Sequence, residues 1–156
     1  MGQFKLNVDA SIDKHTNSIG IGAIIRNTTG GVVACLLKSL FGTFAAMEAE
    51  AVALMVALDW TLTIGLPISS FETDCLALIS AFSRRASFCN EFGSILDDIA
   101  SLLSNFPEAS LIHVRRSANM AAHELAVRAL RVDGELVWMD DFPPFLYDVL
   151  NSDYIQ

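Results

Sequence analysis

Three acidic residues of this 156-residue chain, Asp9, Glu50 and Asp74, stand where an acid calls for a reason. Asp9 lies within residues 4–12, where Phe4, Leu6, Val8, Ala10 and Ile12 alternate with Lys5, Asn7, Asp9 and Ser11. A period of two marks a strand with one buried and one more polar face, and a carboxylate in mid-strand is an unfavourable strand former. Glu50 falls in a long run of helix formers, and Asp74 closes a short strand-like segment. Singly, each reads as solvent-facing charge; on an edge strand Asp9 would serve solubility. It is their order and spacing together that point to chemistry. Carboxylates gathered at one point repel one another without metal, and their hard oxygens suit Mg²⁺ or Mn²⁺. Glu48 competes with Glu50 for the helical position. The two are about 200° apart around a helix of roughly 3.6 residues per turn, so one site cannot use both. Both flank the apolar stripe, so periodicity does not choose between them.

The elements that must position these residues follow from the pattern along the chain. Residues 13–18 form a polar turn, and residues 19–26 read as a second strand. Gly20 and Gly22 inside that strand signal a bulge or the close approach of another backbone. Asn27, Thr28, Thr29, Gly30 and Gly31 are a hairpin signal leading into a third strand over residues 32–40. Residues 43–64 then read as a helix with Met47, Ala51, Leu54, Leu58 and Leu62 on one stripe, ended by Gly65 and Pro67. A strand over residues 68–73 leads to Asp74, and Thr73 or Asp74 caps a helix over residues 75–85. Asn90 precedes a helix over residues 91–106, residues 111–114 are the last strand, and residues 118–132 are a further helix. An antiparallel unit followed by helix–strand alternation gives a mixed α/β domain whose helix-linked strands run parallel. In such sheets sites form near the carboxyl ends of strands, where Asp74 lies. Residues 1–132 are expected as the domain and residues 133–156 as an acidic, aromatic tail, with Trp138, Phe142, Phe145, Tyr147 and Tyr154. Pro143 and Pro144 would open a short helix within it.

Composition narrows the classes of function. A 53% apolar content supplies one core, while Glu48, Glu50 and Asp59 interrupt the most apolar region, so a membrane span of roughly 20 residues is excluded and no membrane partner is expected. The first residues lack a signal peptide's hydrophobic segment. Cys35, Cys75 and Cys89 are too scattered for a disulfide framework or a zinc site and read as buried thiols of a reducing compartment, so the expected location is intracellular, cytoplasmic or nuclear. A net charge of −8 argues against a broad electrostatic footprint for nucleic acid, although Arg84 with Arg85, Arg115 with Arg116, and Arg128 with Arg131 form local pairs.

Five segments carry a family likeness: Asn7-Val8-Asp9-Ala10-Ser11; Gly20-Ile21-Gly22-Ala23-Ile24-Ile25-Arg26 through the Thr29-Gly30-Gly31 turn; Ala49-Glu50-Ala51-Val52-Ala53-Leu54; Phe71-Glu72-Thr73-Asp74-Cys75; and Val114-Arg115-Arg116-Ser117-Ala118-Asn119-Met120-Ala121-Ala122-His123-Glu124-Leu125-Ala126. In these segments and their order the chain resembles the ribonuclease H family, in particular its plant reverse-transcriptase-like branch, over about residues 4–132. The Ala49–Glu50 pairing selects Glu50 over Glu48. The resemblance implies an RNase H-like α/β fold: a five-stranded mixed sheet, three antiparallel strands then two parallel, with the first strand central and helices on both faces. It implies hydrolysis of the RNA strand of an RNA–DNA hybrid, and two divalent ions, Mg²⁺ or Mn²⁺, held by Asp9, Glu50, Asp74 and a fourth position in the last helix. Two cations about 3.5–4 Å apart stabilise the attacking and leaving oxygens of an in-line phosphoryl displacement, and Asp9, on the most rigid mount, is the natural bridging ligand.

Two departures from the family pattern matter. The fourth acidic position, in Asn-x-x-Ala-Asp-x-Leu-Ala, is His123 here. An imidazole is a softer ligand and removes a negative charge, which favours Mn²⁺ over Mg²⁺; His123 is also suited to shuttling a proton near neutral pH. The plain alternative is a histidine packed on the helix surface. Second, the family's glycine-rich turn after the first strand, which helps read ribose 2′-hydroxyls, is replaced by Asp13-Lys14-His15-Thr16-Asn17. Asn17 is placed to inherit part of that role, with an ordinary polar turn as the alternative. Arg116 and Asn119 match the family's Arg-x-x-Asn: Arg116 would meet a phosphate, Asn119 would cap the last helix or tie the loop, and for both a purely structural role is the alternative. Arg84 and Arg85 read as a charge complement to a helix C-terminus, and His113 as a packed strand residue.

Two functions are therefore expected to compete. One is a metal-dependent endoribonuclease on RNA–DNA hybrids with Asp9, Glu50, Asp74 and His123 as its catalytic and metal-binding residues. The other is a catalytically weak or inactive module that binds nucleic acid or protein. Either could form part of a larger retroelement polyprotein.

Overall fold

The computed structural model describes residues 3–155; Met1, Gly2 and Gln156, and the side chains from residue 153 on, that of Tyr154 included, lie outside the described residues. The alternating segment forms β1 (Phe4–Asp13), followed by β2 (Ser18–Arg26) and β3 (Val32–Phe41) in an antiparallel meander that sets Asp9 opposite Gly22 and Gly22 opposite Leu37. The hairpin between β2 and β3 is closed by the Asn27 side chain, whose Oδ1 accepts the N–H groups of Thr29 and Gly31 at 3.1 and 2.8 Å. Next come α1 (Ala46–Ile64), β4 (Ile68–Thr73), α2 (Leu76–Ser83), α3 (Glu91–Leu103), β5 (Ser110–His113) and α4 (Met120–Ala129). Gly65, at φ +73°, ends α1 and donates its N–H to Thr61; glycine takes this left-handed conformation without steric cost.

The strand order is β5-β4-β1-β2-β3-β6, with β4 parallel to β1 and β5 parallel to β4. β1 is therefore internal, and the chain order reverses on its two sides. The expected five strands are all present. A sixth, β6 (Glu135–Met139), corrects the count: it comes from the segment read as tail and pairs antiparallel with β3. Leu136, Val137, Trp138 and Met139 are consecutive apolar residues, so no period-two signal marks this strand in the sequence. Beyond it, Pro144–Leu146 make a 3-10 turn and Tyr147–Ile155 form α5, in keeping with the helix that the prolines signal.

Two hydrophobic clusters flank the sheet. On one face Leu6, Val8, Ile21 and Ala23 pack with Ala51, Leu54 and Leu58 of α1 and with Leu96 and Ile99 of α3. On the other, Ile24, Cys35 and Leu37 pack with Ala121, Ala122 and Leu125 of α4 and with Leu146 and Leu150 of the C-terminal segment. Gly20 and Gly22 belong to this second face. A Cβ on Gly20 would meet the carbonyl oxygen of Ala126, and one on Gly22 the carbonyl oxygen of Ala122 and the amide nitrogen of Ala126. Of the two readings of these glycines, close approach of another backbone is the one realised, and α4 is that backbone.

Other expectations need adjustment. α4 starts at Met120, after a 3-10 turn over Arg116–Ala118. α3 stops at Leu103, short of residue 106. The N-cap of α2 is Cys75, without a side-chain capping bond; Thr73 Oγ1 instead accepts the Cys75 N–H at 3.1 Å. Cys35 is buried, but Cys75 is half-buried and Cys89 exposed. His113 is exposed rather than packed, because β5 is the outer strand. Arg84 and Arg85 do stand at the C-terminus of α2, where Arg85 Nη1 donates to the Phe82 carbonyl at 3.3 Å, and their guanidinium groups also lie over the rings of Phe88 and Phe82 at 5.7 and 4.7 Å. No helix among the described residues is long and apolar enough to cross a membrane.

Gly22→Ala is expected to destabilise the fold by about 3 kcal/mol, the upper end of overpacking costs, because of the three atoms it would strike two are backbone and the third, Leu125 Cβ, is fixed by its own backbone. Urea denaturation checks this, and a loss below about 0.5 kcal/mol, the level of a surface change, would mean that α4 can move away from β2.

Candidate metal centre

An internal strand has no solvent face. Asn7 and Asp9 project from the side of β1 opposite Leu6 and Val8, yet each is only 3% exposed. At Asn7 and Asp9 the "polar face" of β1 is thus a buried one, roofed by α4, while Lys5 at its start is exposed. Glu50 arrives from α1, in the opposite layer, and its Oε1 accepts the N–H of Ala10 at 3.3 Å. The pairing of β4 with β1 ends at Asn7 with Glu72, so this N–H lies past the last β4 partner. Asp74 follows immediately after β4. One carboxylate oxygen from each of Asp9, Glu50 and Asp74 lies within 4.8 Å of the others. Glu48 acts elsewhere. Its Oε1 accepts the Ala45 N–H at 3.2 Å, satisfying a free donor at the start of α1. Geometry therefore separates the two glutamates that periodicity could not.

Burial first, and the Asp9 carboxylate second, push the Glu50 carboxyl up to about 9. Asp74 is raised by the same two causes in the same order, with the Arg116 guanidinium opposing them. Glu50 Oε2 is buried and has no hydrogen-bond donor among the described residues. Three convergent acids, one with a buried orphan oxygen, are a donor set that fits a hard divalent cation.

His123 lies on α4 with Nδ1 2.9 Å from Asp9 Oδ2. It is placed against the carboxylate of Asp9 and outside the group of three acids that converge. Arg116 Nη2 is 3.4 Å from each ring nitrogen of His123. Both residues, with Ser11, line the cleft of about 240 Å³ that opens above the three acids. Asn119 is buried behind the cleft. Its Nδ2 donates to the Val8 carbonyl at 3.0 Å and its Oδ1 accepts from Asn7 Nδ2 at 3.0 Å, so of its two expected roles it ties the loop to β1 and makes no side-chain cap on α4. Asn17 does not line the cleft. It sits in the β1–β2 turn at φ +50°, and its carbonyl accepts the Gly42 N–H at 2.8 Å.

Asn7 and Glu72 were not singled out by the sequence pattern. Asn7 Nδ2 also donates to Glu72 Oε1 at 3.1 Å, making one polar network under the site. The signal for Asn7 was present: a period of two puts it on the same face as Asp9. Nothing marked Glu72, whose partner comes from a strand 65 residues away.

Comparison with known proteins places this geometry. A family model described as reverse transcriptase-like matches residues 7–129. The structure of RNase H1 from the halophilic archaeon Halobacterium salinarum NRC-1 superposes with a TM-score of 0.73 at 23% identity, covering 83% of this chain and 98% of that one. LC11-RNase H1, isolated from compost by a metagenomic approach and solved in complex with an RNA/DNA hybrid, gives 0.71 at 18% identity over 83% and 97%. Prototype foamy virus protease-reverse transcriptase gives 0.63 at 21% identity, over 84% of this chain and 21% of that one. Among curated proteins no significant match exists. The fold is that of an RNase H-like domain.

The raised Glu50 carboxyl has a consequence for stability. Its proton is held more tightly in the folded state, so its contribution is complete below the ordinary value of 4.5 and is lost as pH rises toward about 9. In metal-free buffer Glu50→Gln, which keeps an oxygen for the Ala10 N–H, should gain on the wild type in Tm by several degrees across that window. A Tm difference that does not change with pH would contradict the buried carboxyl.

Proposed function

The chain belongs to the reverse transcriptase-like family, and from that starting point we propose that it is a metal-dependent endoribonuclease that hydrolyses the RNA strand of RNA–DNA hybrids. The observation that carries this reading is the convergence of Asp9, Glu50 and Asp74 within 4.8 Å, with a buried oxygen of Glu50 left without a donor. Like charges this close destabilise a fold that has no cation to offset them, and a module kept only for its shape has no physical need of them. The hybrid bound by LC11-RNase H1 supports the substrate class.

Asp9, Glu50 and Asp74, with His123 beside Asp9 as the fourth ligand, would hold two Mg²⁺ or Mn²⁺ ions. When bound, such ions stabilise the attacking and leaving oxygens of an in-line phosphoryl displacement. Asp9, on an internal strand and fixed from behind by the Asn119–Asn7 network, holds its carboxylate in place without reorganisation. His123 orients Asp9 through the 2.9 Å contact and can take or give a proton at its ring nitrogens. Arg116, exposed at the rim beside His123, offers its guanidinium to a phosphate of the substrate. Asn17, in its exposed turn, would meet the substrate outside the cleft.

The second reading, a catalytically weak or inactive module that binds nucleic acid or protein, draws on the net charge of −8 and the histidine in place of a fourth acid. The foamy virus protein, in which the matching region is 21% of the chain, gives an instance of such a domain within a larger polypeptide, and a similar origin is proposed here.

Cleavage of an end-labelled hybrid separates the two. The wild type should cut, and Asp9→Asn should lower the rate by on the order of 10²–10³-fold, the range for losing one preorganised electrostatic group. Activity that survives the substitution would assign the cutting to another site, and no cleavage by either protein would favour the inactive module. Mn²⁺ should support faster cleavage than Mg²⁺, and His123→Asp should narrow that difference; equal or faster cleavage with Mg²⁺ would refute the argument from His123.

A further inference from the structure

β6 is the outermost strand of the sheet on the side away from β5, and no strand among the described residues pairs with its outer side. The hydrogen-bonding positions of its ladder to β3 are fixed by two bonds: Ser39 N–H to the Gly134 carbonyl at 2.9 Å, and Asp140 N–H to the Val33 carbonyl at 2.7 Å. In an antiparallel ladder bonded and non-bonded pairs alternate. Gly134, Leu136, Trp138 and Asp140 therefore turn their backbone groups toward β3, and Glu135, Val137 and Met139 present N–H and C=O outward. The side chains do nothing to close this edge. Leu136, Val137 and Met139 are 45%, 42% and 49% exposed, and the strand has no lysine, proline or bulge of the kind that blunts natural edges. The opposite edge, β5, is only four residues long.

Charge selects the occupant. Asp133, Glu135, Asp140 and Asp141 bracket the strand, all exposed, and Glu135 is paired with Lys38 Nζ at 4.0 Å. A second copy would be repelled: antiparallel pairing centred on Val137 sets Asp133 of one copy opposite Asp141 of the other, and like charges directly opposite destabilise a sheet. Nucleic acid is excluded at this edge by the same acids.

We propose that β6 is a docking edge for a protein partner, which adds an extended segment with an apolar centre and Lys- or Arg-rich flanks as a seventh strand. Backbone bonds to Glu135, Val137 and Met139 supply affinity, and the acidic brackets supply specificity. β2 and β3 stand between β6 and β1, about 14 Å at the usual strand spacing, so docking leaves the acidic cleft open. The inference is independent of whether that cleft cuts hybrid.

The test uses the full chain and a fluorescein-labelled peptide, five alternating Val and Thr residues with two lysines at each end, beside the same peptide with glutamates at the ends. Fluorescence anisotropy should show the lysine peptide binding at least tenfold more tightly, less so at high salt, and amide exchange should slow at Glu135, Val137 and Met139. Val137→Pro removes an outward N–H without touching the ladder to β3, so it should weaken binding at least tenfold while Tm and any hybrid cleavage stay unchanged. Asp133→Lys with Asp141→Lys should shift the preference toward the glutamate peptide. Equal binding of both peptides, no binding of the lysine peptide, or exchange protection elsewhere would overturn the proposal. So would a dimer in sedimentation with these amides protected, which would make the occupant a second copy.

Discussion

Three carboxylates held within 4.8 Å of one another at the margin of a hydrophobic core raise the free energy of the folded chain, and much of the architecture serves to hold them there. Burial alone disfavours the charged form, and each acid makes the others worse. One response is protonic: burial and the neighbouring acids push the Glu50 carboxyl up to about 9 and raise Asp74 with it. A cation is the other response open to such a cluster. The site is in this sense unfinished as protein alone, and its instability and its capacity for chemistry have one cause.

What resists the repulsion is the way the two layers grip β1. From one side α1 offers Glu50 to the Ala10 N–H, a donor available because β4 has already stopped pairing. From the other side α4 comes so close to β2 that only glycine fits at Gly20 and Gly22. That approach brings Asn119 within reach of the Val8 carbonyl and His123 within reach of Asp9, 111 and 114 residues away in sequence. Two missing side chains in β2 thus decide where the histidine stands. The C-terminal segment completes this layer, since Leu146 and Leu150 share a cluster with Cys35, Leu37 and the alanines of α4.

The same segment gives the molecule a second character. β6 lengthens the sheet on the side away from the cleft, so the features that could meet a protein partner and those that could meet a metal lie in separate places. An acidic chain that is poorly suited to hold nucleic acid by charge over its whole surface is well suited to attract a basic partner at one edge.

The strand and helix pattern through β5 is legible in the sequence, because alternation, hairpin glycines and the Gly65–Pro67 stop are local signals that local physics obeys. So are the acid in mid-strand and the two glycines that demanded either a bulge or a close neighbour. Periodicity could not choose between Glu48 and Glu50, because α1 packs against β1, α2 and α3 at once and its buried arc is too wide to leave a clear polar face. Tertiary structure made that choice, through the Ala45 N–H for one and the Ala10 N–H for the other. It also decided that the polar face of β1 is buried at Asn7 and Asp9, that His123 meets Asp9, and that an apolar run in the tail becomes the last strand. Each of these depends on contacts between residues far apart in the chain, and a sequence pattern records how a residue faces its element, not which distant element will face it.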